Sequence, residues 1–184
     1  MDKCIIQKAQ SGDMDAFESL YKEQELFVWK IVCRMMDNIQ DREDVFQDVF
    51  IKIYQNIDKF QFRSKFSTWV YKIAMSTILN YMEKYKRRVI INNLFFREAP
   101  VQDDDMNLDP DADKEVANIL KILNPIQRSC VVLKEIEDLS YKEISEVLKI
   151  KIGTVRSNLN RARELLRKKW QPEEGAGIYA MQAS

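Results

Sequence analysis

The sequence predicts an all-α fold: two small helical domains joined by a flexible acidic linker, the second domain a helix-turn-helix. Three observations carry this. Gly and Pro number only four each in 184 residues, which leaves little turn chemistry. Apolar residues recur at helical rather than alternating spacing through most of the chain. Charge is also sorted along it. The formal net charge is zero, yet residues 114–170 carry 13 basic and 7 acidic side chains, residues 89–113 carry 1 and 7, and residues 10–88 carry 13 and 12. A basic C-terminal module beside an acidic connector suggests one part that meets phosphate and one that avoids it.

The first domain spans residues 10–88. Ala16, Phe17, Leu20 and Tyr21 begin one apolar stripe, and Leu26, Phe27, Ile31, Val32 and Met35 continue with another. Asp41 suits a helix N-cap with Asp44 three residues on, followed by Val45, Phe46, Val49, Phe50 and Ile53 on one face. A loop over 58–65 separates this helix from one through Trp69, Ile73, Ile78 and Tyr81, which runs into the basic cluster Lys84-Tyr-Lys-Arg-Arg88. Residues 89–113 are acidic, contain Pro100 and Pro110, and read as the linker. Residues 114–169 form the second helical domain, and 170–184 a frayed or accessory tail.

Composition excludes several chemistries. Histidine is absent, which removes the commonest general base and metal ligand. Cys4, Cys33 and Cys130 are isolated, and the apolar neighbours of Cys33 and Cys130 mark buried free thiols. No catalytic residue, metal or cofactor is expected. No apolar run approaches a membrane span and no signal-peptide pattern opens the chain, so cytoplasmic residence without membrane insertion is the expectation.

In the second domain, Ser140 and Glu143 match a capping box at a helix start. Tyr141, Ile144, Val147 and Leu148 give that helix its buried side. After a turn at Lys149–Lys151 a second stripe follows: Ile152, Val155, Leu159, Ala162 and Leu166. Its opposite face carries Thr154, Arg156, Ser157, Asn158, Asn160, Arg161 and Arg163. Two helices around a tight turn, the second basic on one side, are the form that presents a helix to the DNA major groove. Arg and Asn bind guanine and adenine edges bidentately, at about 1–3 kcal/mol of discrimination per good pair. The alternative for such a face is a merely solvated one; the turn and the module's positive charge favour DNA.

Three stretches of this domain resemble region four of bacterial sigma factors: Leu123-Asn-Pro-Ile-Gln-Arg128, Leu139-Ser-Tyr-Lys-Glu-Ile144, and Gly153-Thr-Val-Arg-Ser157 with Arg161-Ala-Arg163. In the first domain, Asp44-Val-Phe-Gln-Asp-Val-Phe-Ile-Lys-Ile-Tyr54 is similar to the region-two helix that docks on RNA polymerase, and Phe66-Ser-Thr-Trp-Val-Tyr-Lys-Ile-Ala74 to the strand-opening segment after it. With no space for a region three, the plan resembles the extracytoplasmic-function (ECF) class of the sigma-70 family.

The resemblance implies a non-enzymatic promoter-specificity subunit. Its partners would be core RNA polymerase (clamp and flap regions), promoter DNA in double- and single-stranded form, and a membrane-bound anti-sigma factor. Asp44, Gln47, Asp48, Ile51 and Tyr54, which fall off the most apolar stripe, would bind core enzyme. The loop Gln61 to Lys65, with Arg63, Ser64 and Lys65, and the helix start Phe66, Ser67 and Thr68 would receive a flipped base of the downstream element. Lys72, Met75, Ser76 and Asn80 would face the same strand, and Lys84, Lys86, Arg87 and Arg88 would hold its phosphates. Lys151, Thr154, Arg156, Ser157, Asn158, Asn160, Arg161 and Arg163 would read the upstream element. The acidic linker would thread a basic channel of the polymerase.

The chain departs from the family pattern at Lys149, where a turn glycine is usual, at Ser145 for a small alanine, and at Asn158, Ser76 and Asn80, with consequences for base preference. Two rivals remain at this level. A stand-alone helix-turn-helix regulator would bind duplex DNA without polymerase. A Mg²⁺-dependent nuclease would use Asp103–Asp105, although carboxylates in a Pro-flanked linker lack the rigid geometry of a metal site.

Overall fold

The structure, a computed structural model, describes residues 3–95 and 111–170, with side chains for 3–90 and 116–169. The body of the expected linker, the Asp103–Asp105 run and the tail beyond 170 lie outside the described residues. Among those described the chain forms eight α-helices and no strand.

Helix α1 (Lys3–Gln10) ends at Gly12, whose φ of 92° turns the backbone through a region open to glycine. The Asp13 carboxylate then accepts from the Ala16 N–H at 3.0 Å and starts α2 (Met14–Met35). The two apolar stripes expected before residue 36 belong to this one helix. Leu26, expected in the second of them, is 63% exposed instead. Helix α3 (Arg42–Asn56) buries Val45, Val49, Phe50 and Ile53 as its stripe predicts. Asp41 occupies its N-cap position without capping it, because its carboxylate accepts from the Asn38 amide. A 3-10 turn (Ile57–Lys59) leads to the loop before α4 (Phe66–Phe95).

Helix α4 runs 30 residues, past the expected boundary at 88. The segment Val89 to Phe95 contains neither Gly nor Pro to stop it. Helix α5 (Asp111–Leu120) likewise takes the last residues assigned to the linker.

Helix α6 (Pro125–Val131) opens with a reciprocal cap: Gln127 N–H donates to Asn124 Oδ1 at 2.9 Å and Asn124 N–H to Gln127 Oε1 at 3.2 Å, with Pro125 in the first turn. A π-helical turn (Val132–Ile136) precedes the two-helix unit α7 (Tyr141–Leu148) and α8 (Ile152–Trp170). The Ser140–Glu143 capping box is present as read from sequence. Between the helices Lys149 is left-handed, at φ 54° and ψ 40°, which strains a residue with a Cβ. Lys149→Gly is therefore expected to stabilise the protein by about 0.5–1 kcal/mol, read as a rise in the urea midpoint at constant slope. A fall in the midpoint would mean that the Lys149 side chain contributes more than the strain costs.

The two sets of helices do not sit apart. Helix α4 packs on α7, and α2 on α5 and α6, so one contiguous apolar cluster runs through both. Buried Arg128 of α6, 2% exposed, donates to Leu120 O at 3.0 Å, Met35 O at 2.9 Å and Asp37 Oδ1 at 2.9 Å. Glu137 accepts from the Tyr71 hydroxyl and from Arg34 Nη1. Burial, and then this bond to Glu137, hold the Tyr71 phenol well above its ordinary value. The neutral phenol that donates to Glu137 is thus retained through about pH 10 and lost only in stronger alkali.

Candidate nucleic-acid interface

Three exposed surfaces hold most of the residues singled out in the sequence. On α8, Val155, Leu159 and Ala162 are fully buried, and this seats the helix against α6 and α7. Ile152, expected in the same stripe, is 42% exposed because it lies at the helix start beyond the packing seam. Lys151, Thr154, Arg156, Asn160, Arg161 and Arg163 are exposed on the far side, with Ser157 and Asn158 half-buried.

Not all of these point outward equally. Asn158 Nδ2 donates to Thr154 O at 2.8 Å and Ser157 Oγ to the same carbonyl at 3.0 Å, so both side chains turn back onto the helix. Arg163 is bound to Glu135 at 2.6 Å, and that carboxylate raises its guanidinium further. Arg156 lies 6.0 Å above the Tyr141 ring, a contact that limits its rotamers while leaving its donors exposed. Arg156, Asn160 and Arg161 are the members best placed to meet base edges. The Glu143 carboxylate at the start of α7 is held below its ordinary range by the Ser140 backbone N–H and hydroxyl, and it stays ionised as a cap.

The second surface lies on α3. Asp44, Gln47 and Asp48 are exposed, and beside them Ile51 is 52% and Tyr54 47% exposed. Spaced 3, 1, 3 and 3 residues apart, they share one helical face. Large apolar groups left in water beside paired acids form the kind of patch a protein partner covers.

The third surface comprises the loop 61–65 and one stripe of α4. Arg63, Ser64 and Lys65 are exposed in the loop, and Lys72, Ser76, Asn80 and Lys84 follow at four-residue spacing along the helix. Lys86, Arg87 and Arg88 are exposed beyond them, with Arg87 paired to Glu83. Beneath the loop, the Phe60 ring centroid lies 4.8 Å from Phe62, 5.3 Å from Phe66 and 5.5 Å from Trp69.

Burial corrects three assignments here. Phe66 at 5%, Thr68 at 8% and Met75 at 0% exposure are interior. The helix start that was to touch DNA instead anchors the loop, because α4 buries that face on α2 and α3. Ser67 is half-exposed. Phe62 adopts φ 55°, a left-handed conformation costly for a bulky residue. Next along α4, burial and a bond to Asp41 raise the Tyr81 phenol well above its usual value.

Sequence reasoning missed Arg128 and Glu137. A charged residue just before the apolar run Cys130–Leu133 was the available signal for the first. Nothing local marks the second, whose partners lie 103 and 66 residues away. Among the described residues no cluster of Cys, Asp or Glu could hold a metal ion, and no helix is long and apolar enough to cross a membrane.

Comparison with known proteins finds two matching family models. The family model for Sigma-70 region 2 matches residues 20–88, and that for Sigma-70 region 4 matches residues 113–166. The ECF RNA polymerase sigma factor SigW of Bacillus subtilis is 34% identical, aligned over 91% of this chain and 96% of its own. The ECF RNA polymerase sigma-E factor of Escherichia coli K12 is 31% identical over 93% and 95%. Among solved structures, CnrH in complex with the cytosolic domain of CnrY superposes with a TM-score of 0.66 at 22% identity, covering 92% of this chain and 97% of that one. RpoE of Bartonella quintana in complex with the anti-sigma factor NepR gives 0.64 at 22%, over 83% and 98%.

Proposed function

Because the chain belongs to the ECF class of sigma-70 factors, a family of non-catalytic initiation factors, we propose a division of promoter work among its three exposed surfaces. The protein is a promoter-specificity subunit of bacterial RNA polymerase that binds core enzyme, recognises and melts promoter DNA, and initiates transcription. Within that activity, residues 10–88 bind core enzyme through Asp44, Gln47, Asp48, Ile51 and Tyr54. The same domain opens the downstream element along the loop 61–65 and the Lys72–Ser76–Asn80 stripe. Residues 114–169 read the upstream element through α8.

The observation that carries the reading is the presence of both matched regions, in order, in one chain. Opening a duplex requires holding unstacked bases, and aromatic side chains beside cations are the chemistry for it. No bond is made or broken; binding free energy favours the open form. An anti-sigma protein is the expected regulatory partner, of the kind bound to RpoE of Bartonella quintana in its complex, and its membrane anchorage is part of the proposal.

Run-off transcription from a fully double-stranded promoter of the source genome, using core polymerase plus this chain, tests the function. Specific transcript that needs both components is expected. Duplex binding with no transcript at any promoter would favour the stand-alone regulator.

The division of labour has its own test. Arg156→Ala is expected to weaken upstream-element binding by about 1–3 kcal/mol and to relax preference at one base pair. Lys86→Ala should weaken binding evenly over sequences and reduce the salt slope by about 1. Titrations over a range of salt on matched and mismatched promoters separate the two, and indistinguishable profiles would refute the division.

A further inference from the structure

Where α7 meets α8, one aromatic side chain faces two of the basic residues of α8. Tyr141 is the first residue of α7, and the cap before it fixes its backbone. Ser140 N–H donates to Glu143 Oε2 at 2.8 Å, and Glu143 N–H to Ser140 Oγ at 3.2 Å. The half-buried Tyr141 ring packs against the apolar core, so it moves only by giving up that contact. Arg156 stands over this ring, 6.0 Å from its centre. Arg163, seven residues on and about 10 Å along the helix, is held differently. Its Nε and Nη2 donate to Glu135 Oε1 at 3.2 and 2.6 Å. After that carboxylate, the Tyr141 phenol adds to the stabilisation of its charge. Immobilising a free arginine side chain on a base edge costs about three- to tenfold in affinity. A planar guanidinium stacked on a fixed ring is already ordered, and the donors at its edge stay free.

We propose that Tyr141 is a positioning residue for upstream-element recognition: its ring pre-orders Arg156 for one base pair, and its hydroxyl supports Arg163, which meets backbone phosphate. Tyr141 itself touches no base. Helix α7 thereby contributes to specificity through the side chains of α8 as well as by seating that helix. This assignment rests on the reading that α8 binds the upstream element, and it adds a residue that lies outside α8.

The test titrates the full chain, with core polymerase, against duplex promoters that carry each base in turn at every upstream position. Discrimination is a ratio of affinities within one preparation, so partial unfolding of a variant does not distort it. Tyr141→Leu is expected to lower discrimination by about three- to tenfold at the position that Arg156→Ala weakens, and at no other. In the Arg156→Ala background the same change should have no further effect there. Tyr141→Phe keeps the ring, so discrimination should return, while binding weakens by about twofold evenly across sequences. Even weakening by Tyr141→Leu with discrimination intact would make Tyr141 a structural residue only and overturn the proposal. Additive losses in the double variant, or a loss in Tyr141→Phe as large as in Tyr141→Leu, would overturn it too. If Arg156→Ala itself alters no upstream position, the upstream reading fails first and the proposal falls with it.

Discussion

Reversing the charge of Asp44 and Asp48 together, as Asp44→Lys with Asp48→Lys, is expected to weaken binding to core RNA polymerase by 100-fold or more, about 3 kcal/mol. Both carboxylates are exposed on α3 next to Ile51 and Tyr54. The apolar pair contributes area, and the acids contribute register and sign to the contact. Replacing attraction by repulsion at two adjoining points costs more than removing either charge, since like charges brought together across an interface are penalised by several kcal/mol. Neither aspartate supports the fold: the buried side of α3 is Val45, Val49, Phe50 and Ile53. The double variant should therefore melt within a few degrees of wild type and keep its affinity for upstream-element duplex. Fluorescence titration with labelled core enzyme checks it. Affinity within threefold of wild type would remove this face from the polymerase contact and revive the stand-alone regulator.

Arg128→Met is expected to destabilise the free protein by about 3–5 kcal/mol. The guanidinium replaces water with Leu120 O, Met35 O and the Asp37 carboxylate, and methionine fills similar space while satisfying none of them. The buried Met35 carbonyl would lose its donor, which is the costly kind of loss, whereas Leu120 O keeps the Leu123 N–H at 3.0 Å. Asp37 is half exposed, at 52%, so water compensates on that side and the lower part of the range is the firmer expectation. Because Arg128 bonds α6 to α2, the variant should also loosen the halves, seen as a larger radius in solution scattering. A loss below about 1 kcal/mol in urea unfolding would show that the buried bonds are not made in solution.

The helices themselves were legible because their signals are local. Capping residues and apolar stripes act within a turn or two, so Ser140 with Glu143, and Val155 through Ala162, fold as their spacing demands. Lys149 was marked by comparison with the family, which places a glycine at that turn, and the residue there is left-handed. Asp41 shows the limit: its carboxylate had a competing donor, Asn38, three residues back, and competition between nearby partners is not resolved by pattern.

The candidate site divides in the same way. Exposed basic and acidic faces follow from the register of α3, α4 and α8, and most residues named from the motifs stand where those faces predict. Phe66, Thr68 and Met75 did not, because the motif marks a segment while burial is decided residue by residue by what packs on it.

The sequence by itself determined the all-helical class, the helix-turn-helix and the separation of basic, balanced and acidic segments, because helical periodicity, capping and charge are properties of neighbours along the chain. Only the tertiary structure decided that the two helical halves share one core and that Arg128 and Glu137 join them. Those outcomes depend on side chains up to 103 residues apart meeting at hydrogen-bond distance, and no local pattern encodes which of many buried or charged residues will meet.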